Sequence, residues 1–297
     1  MSTNKPAVRF LDSEVNAIPG TCHIILRYLT SYEGSTREEI REHLEPEYLV
    51  GGVQKEDAAF ANSLLLLQNL GIANEENGHF STSIKLPPKS DGSPNLAQFR
   101  YEISRVIVED STNAVLAGGD PSDLVKYILY FSTVGAEESF DGMANFGEMI
   151  QRRFRSQGLN DPKWNSIKRW MSSLGLSRLQ INNNINFDPT EFLLSVASNF
   201  ETKKRYEFRH FAKEIGDRMP SLVNPTLRHW FRSQTSIVNQ ESYMDFSDSL
   251  VWSLDSLVQS GRFEIELLDD DAKENICDLG NNRQVSAITF NDNEGPL

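Results

Sequence analysis

Hydrophobic positions along this chain recur mainly at three- and four-residue spacing, interrupted by short alternating runs, which predicts helices punctuated by small hairpins. Ile25, Leu26 and Leu29 place a helix over Cys22 to Leu29, after a break at Pro19-Gly20. Ser35 and Glu38 stand at capping-box spacing at the start of a helix from Thr36 to Leu44. Phe60, Leu64, Leu67 and Leu70 line one side of a third helix, from about Glu56 to Leu70, which stops at Gly71, the residue type favoured for a left-handed C-terminal cap. Ile72 to Ile84 then gives two extended runs around Asn77-Gly78, a strong hairpin dipeptide. Three helices followed by a hairpin predict a winged helix-turn-helix unit over residues 1–86.

A Pro- and Ser-rich linker, Leu86 to Pro94, separates this unit from a second run of the same order. Helices are predicted at Leu96 to Leu116, Asp123 to Phe131, Phe146 to Arg155 and Lys163 to Leu174, the last with Trp164, Ile167, Met171 and Leu174 on one stripe. Leu179, Ile181, Ile185 and Phe187 alternate around an Asn-rich turn, closing a central unit at 95–188. A C-terminal unit at 189–297 is expected to contain helices at Thr190 to Ile215, Pro225 to Gln234 and Ser247 to Ser260. Gly261 stops the last of these, and strands follow at Arg262 to Leu267 and Gln284 to Phe290. The predicted fold is therefore mainly α with small β-hairpins (α+β), built as tandem winged helix-turn-helix units. No fixed period relates the units, so the pattern is one of recurring topology and not duplication.

Composition narrows the class. The 297 residues include 17 Phe, 8 Tyr and 4 Trp within a 39% hydrophobic fraction, enough apolar surface to exclude a largely disordered chain. Cys22 and Cys277 form neither a metal knuckle nor a disulfide framework, as suits a reducing compartment. The first eight residues lack the apolar stretch of a secretion signal, and the longest apolar run, Leu64 to Leu67, is far below the roughly 20 residues needed to cross a bilayer. A cytoplasmic location without membrane contact is expected.

Charge changes the functional picture. With 29 Lys and Arg against 42 Asp and Glu the formal net charge is -13, which disfavours generic phosphate binding. That charge is unevenly spread. Residues 151–234 carry 15 basic against 7 acidic side chains (+8), whereas residues 1–150 sum to -11 and 235–297 to -10. The Debye length near 0.15 M salt is about 8 Å, so a clustered basic face acts largely independently of acidic charge elsewhere. Arg152, Arg153, Arg155, Lys163, Lys168, Arg169, Lys203, Lys204, Arg205 and Arg209 are the expected nucleic-acid contacts, to DNA and without sequence preference. The same residues would also suit a solvated face paired with the acidic flanks, or a dock for an acidic partner. In the first unit the third helix offers Asn62, Ser63, Gln68 and Asn69 with Lys55 as its only cation. The hairpin there adds Glu75, Glu76 and His79, chemistry better suited to protein docking than to phosphate.

Catalytic motifs are missing. The chain has no GxxxxGK[ST], GxGxxG or GxSxG pattern, and Gly118-Gly119-Asp120-Pro121 reads as a turn. His23, His43, His79, His210 and His229 lack metal-ligand spacing. Asp188 with Glu201-Thr202-Lys203 mimics a nuclease D-(D/E)xK set, but Glu201 and Lys203 two apart on a helix would face different directions. Asp269-Asp270-Asp271 lacks the glycine and spaced oxygens of an EF-hand loop. Neither an enzyme nor a bound cofactor is expected.

The run from Trp164 to Leu176 (WNSIKRWMSSLGL), then Asp188-Pro189-Thr190, and the stretch from Phe246 through Trp252 to Gly261 leading to Asp271-Ala272 resemble the DpdG family. The likeness extends from Ile18-Pro19-Gly20 to Val285-Ser286. Members of that family accompany bacterial islands that place 7-deazaguanine derivatives in DNA and restrict unmodified phage or plasmid DNA. The resemblance implies a subunit of a multi-protein defence complex whose other members supply nuclease or helicase activity. It carries over no catalytic residue. The readings left open are a DNA- and protein-binding component, an acidic assembly adaptor without DNA binding, and a winged-helix transcriptional regulator.

Overall fold

The computed structural model describes residues 6–11, 17–44, 58–134, 146–148, 160–179, 185–221, 223–234, 247–267, 277–278 and 284–291. It is mainly helical, with small antiparallel sheets. The first helix, α1 (Pro19–Ser31), starts earlier than the break at Pro19-Gly20 suggested. Proline occupies its first turn, where the missing N–H has no helical partner in any case. A two-residue strand, β1 (Ser35–Thr36), precedes α2 (Arg37–Leu44) and pairs with β3 (His79–Thr82), which in turn pairs with β2 (Ala73–Glu76). The capping box lies one residue later than its spacing implied. Thr36 N donates to Glu39 Oε2 at 2.7 Å and Glu39 N to Thr36 Oγ1 at 3.3 Å, while Ser35 is held in the ladder opposite Phe80. Between them α3 (Ala58–Asn69) buries Phe60, Leu64, Leu66 and Leu67 and packs on α1. Asn77 and Gly78, both at positive φ (54° and 80°), make the β2–β3 turn, a geometry whose second position suits glycine above all.

The centre comprises α4 (Leu96–Leu116), α5 (Asp123–Val134), α6 (Asp161–Ser173) and a two-stranded hairpin of β4 (Ser177–Leu179) and β5 (Ile185–Phe187). Residues 146–148 are helical, and the remainder of the helix expected to Arg155 lies outside the described residues, as does Ile181. At the turn after α6, Gly175 has φ 71°, and an added Cβ would sit 2.9 Å from the Phe192 backbone nitrogen, so α6 and the next helix meet there too closely for a side chain.

The single helix expected from Thr190 to Ile215 is instead two. The first, α7 (Thr190–Ala197), ends before β6 (Arg205–Glu207), and α8 (Phe208–Arg218) follows at once. The intervening residues put few apolar side chains at helical spacing. Lys203, at φ 59°, turns the chain so that its N–H reaches Phe290 O at 2.7 Å. Then come α9 (Pro225–Gln234), α10 (Asp248–Gln259), β7 (Phe263–Leu267), β8 (Cys277–Asp278) and β9 (Gln284–Phe290). Both β6 and β7 pair with β9, giving the order β6-β9-β7 with β8 also on β9. The first and last sheets thus share a plan, in which a short strand between helices pairs with the final strand of the hairpin.

Buried apolar side chains from Val8 to Phe290 form one continuous cluster. Its crossing point is α4, which packs on α7, α8 and α9. Arg100 on α4 reaches Glu191 at 2.8 Å, and the Arg218 guanidinium lies 4.0 Å over the Tyr101 ring, whose hydroxyl donates to Glu214 at 3.1 Å. Burial pushes the Tyr101 phenol up to about 12. The segment 6–11 ties the centre from outside: Val8 N donates to Asp110, Phe10 N and Leu11 N donate to Asp123, and the Phe10 ring meets Trp170 edge-on at 5.2 Å. No helix among the described residues is long and apolar enough to cross a membrane.

Candidate nucleic-acid interface

Of the ten expected contacts, Arg152, Arg153 and Arg155 lie outside the described residues. The other seven fall into two groups with different surroundings.

Lys163, Lys168 and Arg169 sit on α6. That helix buries Trp164, Ile167, Trp170 and Met171 against α1, α5 and β4. By 3.6-residue periodicity Arg169 points away from that stripe, Lys168 flanks it and Lys163 falls within its arc, so the three cations are spread around the helix. Asn160 caps it by accepting from Lys163 N at 3.1 Å. Arg169 is exposed, Lys163 and Lys168 are half-buried, and Lys168 Nζ lies 6.0 Å over the Trp164 ring. None of the three has a carboxylate partner among the described residues.

Lys203, Lys204, Arg205 and Arg209 gather around β6, which borders β9 and α8. Here most of the positive charge is answered. Lys204 Nζ lies 2.7 Å from Glu201 Oε1, and Arg209 Nε lies 3.2 Å from Glu207 Oε2. Arg205 grips Glu266 through Nε and Nη2 at 2.8 to 3.0 Å. Glu201 raises the Lys204 pKa through a hydrogen bond, and the Arg205 fork holds the Glu266 carboxyl below its ordinary range. Lys203 is the member of this group without a carboxylate partner among the described residues. The structure therefore does not merge the seven cations into one face: α6 keeps its charge, and the β6 corner is largely neutralised.

The first unit offers little to phosphate. Ser63 is buried and accepts from Ile18 N at 3.0 Å, Gln68 donates to Glu75 at 3.1 Å, and Glu75 and Glu76 face solvent. The nuclease-like set is also dispersed. Asp188 Oδ2 lies 2.9 Å from Arg178 Nε, and its Oδ1 accepts from Thr190 N at 3.0 Å, whereas Glu201 is held by Lys204. No group of three or more His, Cys, Asp or Glu that could hold a metal occurs among the described residues. His23 is buried on Phe99, and burial, reinforced by Arg27, lowers its pKa to about 4. Burial pushes the Cys22 thiol up to about 12, so it stays protonated and unreactive at neutral pH.

Sequence reasoning missed a polar cleft of about 270 Å³ between the β4–β5 hairpin and α10 that includes Arg178, Asp188 and Trp252. Its one sequence signal is Trp252, an aromatic off the Leu250, Leu254 and Leu257 stripe of its helix.

No curated protein and no solved structure matches this chain. A protein-family model described as DpdG-like matches residues 10–271, nearly the whole sequence. The chain belongs to the DpdG-like family, a component of Dpd DNA-modification defence systems.

Proposed function

We propose that this protein is a non-enzymatic, DNA- and protein-binding subunit of its defence complex, built from three winged-helix units at 1–86, 95–188 and 189–297. The strand orders β1-β3-β2 and β6-β9-β7, each with the lone strand between the first two helices of its unit, support the winged-helix reading at the two ends. The observation that carries DNA contact is helix α6, whose Lys163, Lys168 and Arg169 have no carboxylate partners among the described residues, with Arg169 the most exposed of the three. Three cations on one rigid element suit backbone phosphates, a contact that positions a subunit on DNA without reading sequence. Nuclease or helicase chemistry belongs to other subunits in this reading, and the cytoplasm is its site of action.

Binding of the full chain to random duplex DNA, titrated with salt, tests it. Each phosphate contact contributes about 0.9 to the slope of log affinity against log salt, so replacing all three α6 cations with Ala should flatten the slope by up to about 2.7. Absence of binding at 50 mM salt would overturn DNA contact in favour of an acidic assembly adaptor. That second reading draws on the charge balance at β6, whose mixed cations and carboxylates suit a protein surface.

A further inference from the structure

The cleft between the β4–β5 hairpin and α10 combines features that the basic faces lack. Trp252 is 61% exposed beside it, while Trp164, Trp170 and Trp230 are 6%, 0% and 7% exposed. A lone exposed aromatic is ordinary on a protein surface. This one borders a guanidinium held in place: Arg178, with its side chain 57% exposed, lines the same cleft and is paired with Asp188.

The remaining polar groups are held in place. Asp188 Oδ1 accepts from Thr190 N at 3.0 Å, from Thr190 Oγ1 at 2.5 Å and from Ser253 Oγ at 3.4 Å, which leaves it little capacity as a base or metal ligand. Its Oδ2 fixes Arg178 through Nε at 2.9 Å, so the guanidinium is oriented while its terminal amino groups have no other partner among the described residues. The Arg178–Asp188 pair makes the lining nearly neutral, which disfavours a free phosphate or a carboxylate as the principal occupant. What the lining asks for is a planar group with an aromatic face for Trp252 and an acceptor for Arg178.

We infer that this cleft takes one unstacked nucleobase, its face on Trp252 and its acceptor edge on Arg178. A heterocycle with adjacent donors and acceptors meets each of these needs, and aromatic side chains are the usual platforms for bases taken out of a helix. The inference rests on the DNA-contact reading for the source of that base, since β4 directly continues the chain from the basic helix α6. A free nucleoside presents the same chemistry, and the two sources are separable.

Trp252 is the natural reporter, because the other three indoles are buried. The full chain is titrated with guanosine, adenosine, cytidine and thymidine, and separately with a single-stranded 12-mer at low and high salt, following tryptophan emission. Saturable quenching is expected. In calorimetry, affinity should fall by about tenfold or more in Trp252→Ala and Arg178→Gln and be largely retained in Trp252→Phe, with thermal unfolding verifying that each variant folds. Quenching by the 12-mer alone supports a base presented within a strand, and quenching by nucleosides supports the cleft chemistry directly. If the 12-mer binds with a steep salt slope but neither probe quenches and Trp252→Ala binds unchanged, the cleft assignment is overturned and DNA contact stands. If nucleosides quench but no strand or duplex binds at 50 mM salt, the cleft assignment stands as a free-nucleoside site and DNA contact falls.

Discussion

Helix α6 and the β6 corner draw on the same basic stretch of sequence, yet folding leaves them with opposite electrostatic outcomes. On α6 the neighbours are apolar, so Lys163, Lys168 and Arg169 keep their charge. At β6, Glu201 and Glu207, already counted in that stretch, pair with Lys204 and Arg209, while Glu266, 61 residues away and outside it, comes to lie against Arg205. A charge sum over consecutive residues counts the local pairs but misses Glu266. Wherever a strand pairs across long sequence distance, the local potential is set by residues that the window never contained. The +8 of residues 151–234 is therefore a property of the chain, and only part of it survives as a property of the surface.

The comparison breaks most severely if α6 loses its anchor. Trp170 is fully buried and meets Phe10 edge-on, so Trp170→Ala is expected to cost about 3 to 5 kcal/mol, read as a large fall in denaturation midpoint, and to take DNA binding with it. Trp170→Phe should cost much less. It keeps an aromatic ring against Phe10 and removes an indole N–H that is buried without a partner among the described residues. If Trp170→Ala unfolds at the wild-type midpoint, α6 is not held as described.

The β6 corner can be converted into a second α6. Replacing Glu201, Glu207 and Glu266 together with Gln leaves Lys204, Arg205 and Arg209 without their partners, and the salt slope of DNA binding should steepen by up to about 2.7. Made in the background that lacks the α6 cations, the same change should restore measurable binding at 50 mM salt. An unchanged slope would mean that the corner is turned away from any bound duplex.

Much of the fold is legible in the chain because its signals are local. Gly71 and Gly261, both at positive φ, terminate α3 and α10 where the pattern breaks, and Asn77-Gly78 makes its hairpin. The capping box was readable in type but not in register, since Ser35 and Thr36 are equivalent as caps until the Ser35 hydroxyl turns back to donate to Tyr32 O at 2.9 Å. The strand β6 was not readable. Three residues with an exposed, half-buried, exposed pattern carry no strand signal, and their pairing partner β9 lies about 80 residues away. The same reason hides the polar cleft. Arg178, Asn186 and Asp188 come from one hairpin and Ser249 and Trp252 from a helix some 60 residues later, so no motif spacing connects them. The paired state of Arg205 was equally hidden, while the apolar stripe of α6 and its cations were visible in the sequence.

The smallest effect tests whether neutralisation at β6 serves stability or only charge balance. The Arg205–Glu266 pair is bidentate, but both side chains are more than half exposed, at 58% and 51%. Exposed pairs typically contribute about 0 to 1 kcal/mol, because water already solvates both ions and ordering two long side chains opposes the gain. The two residues also face each other across β9, from β6 and β7, so the contact spans the sheet without belonging to its backbone ladder. A double-mutant cycle of Arg205→Ala and Glu266→Ala, read by urea denaturation, should give a coupling below about 1 kcal/mol that shrinks in 1 M salt. A coupling well above that, and insensitive to salt, would make the pair a structural clamp on the sheet. The contrast with α6 would then have arisen from packing demands at β6 and not from the absence of a ligand for its cations.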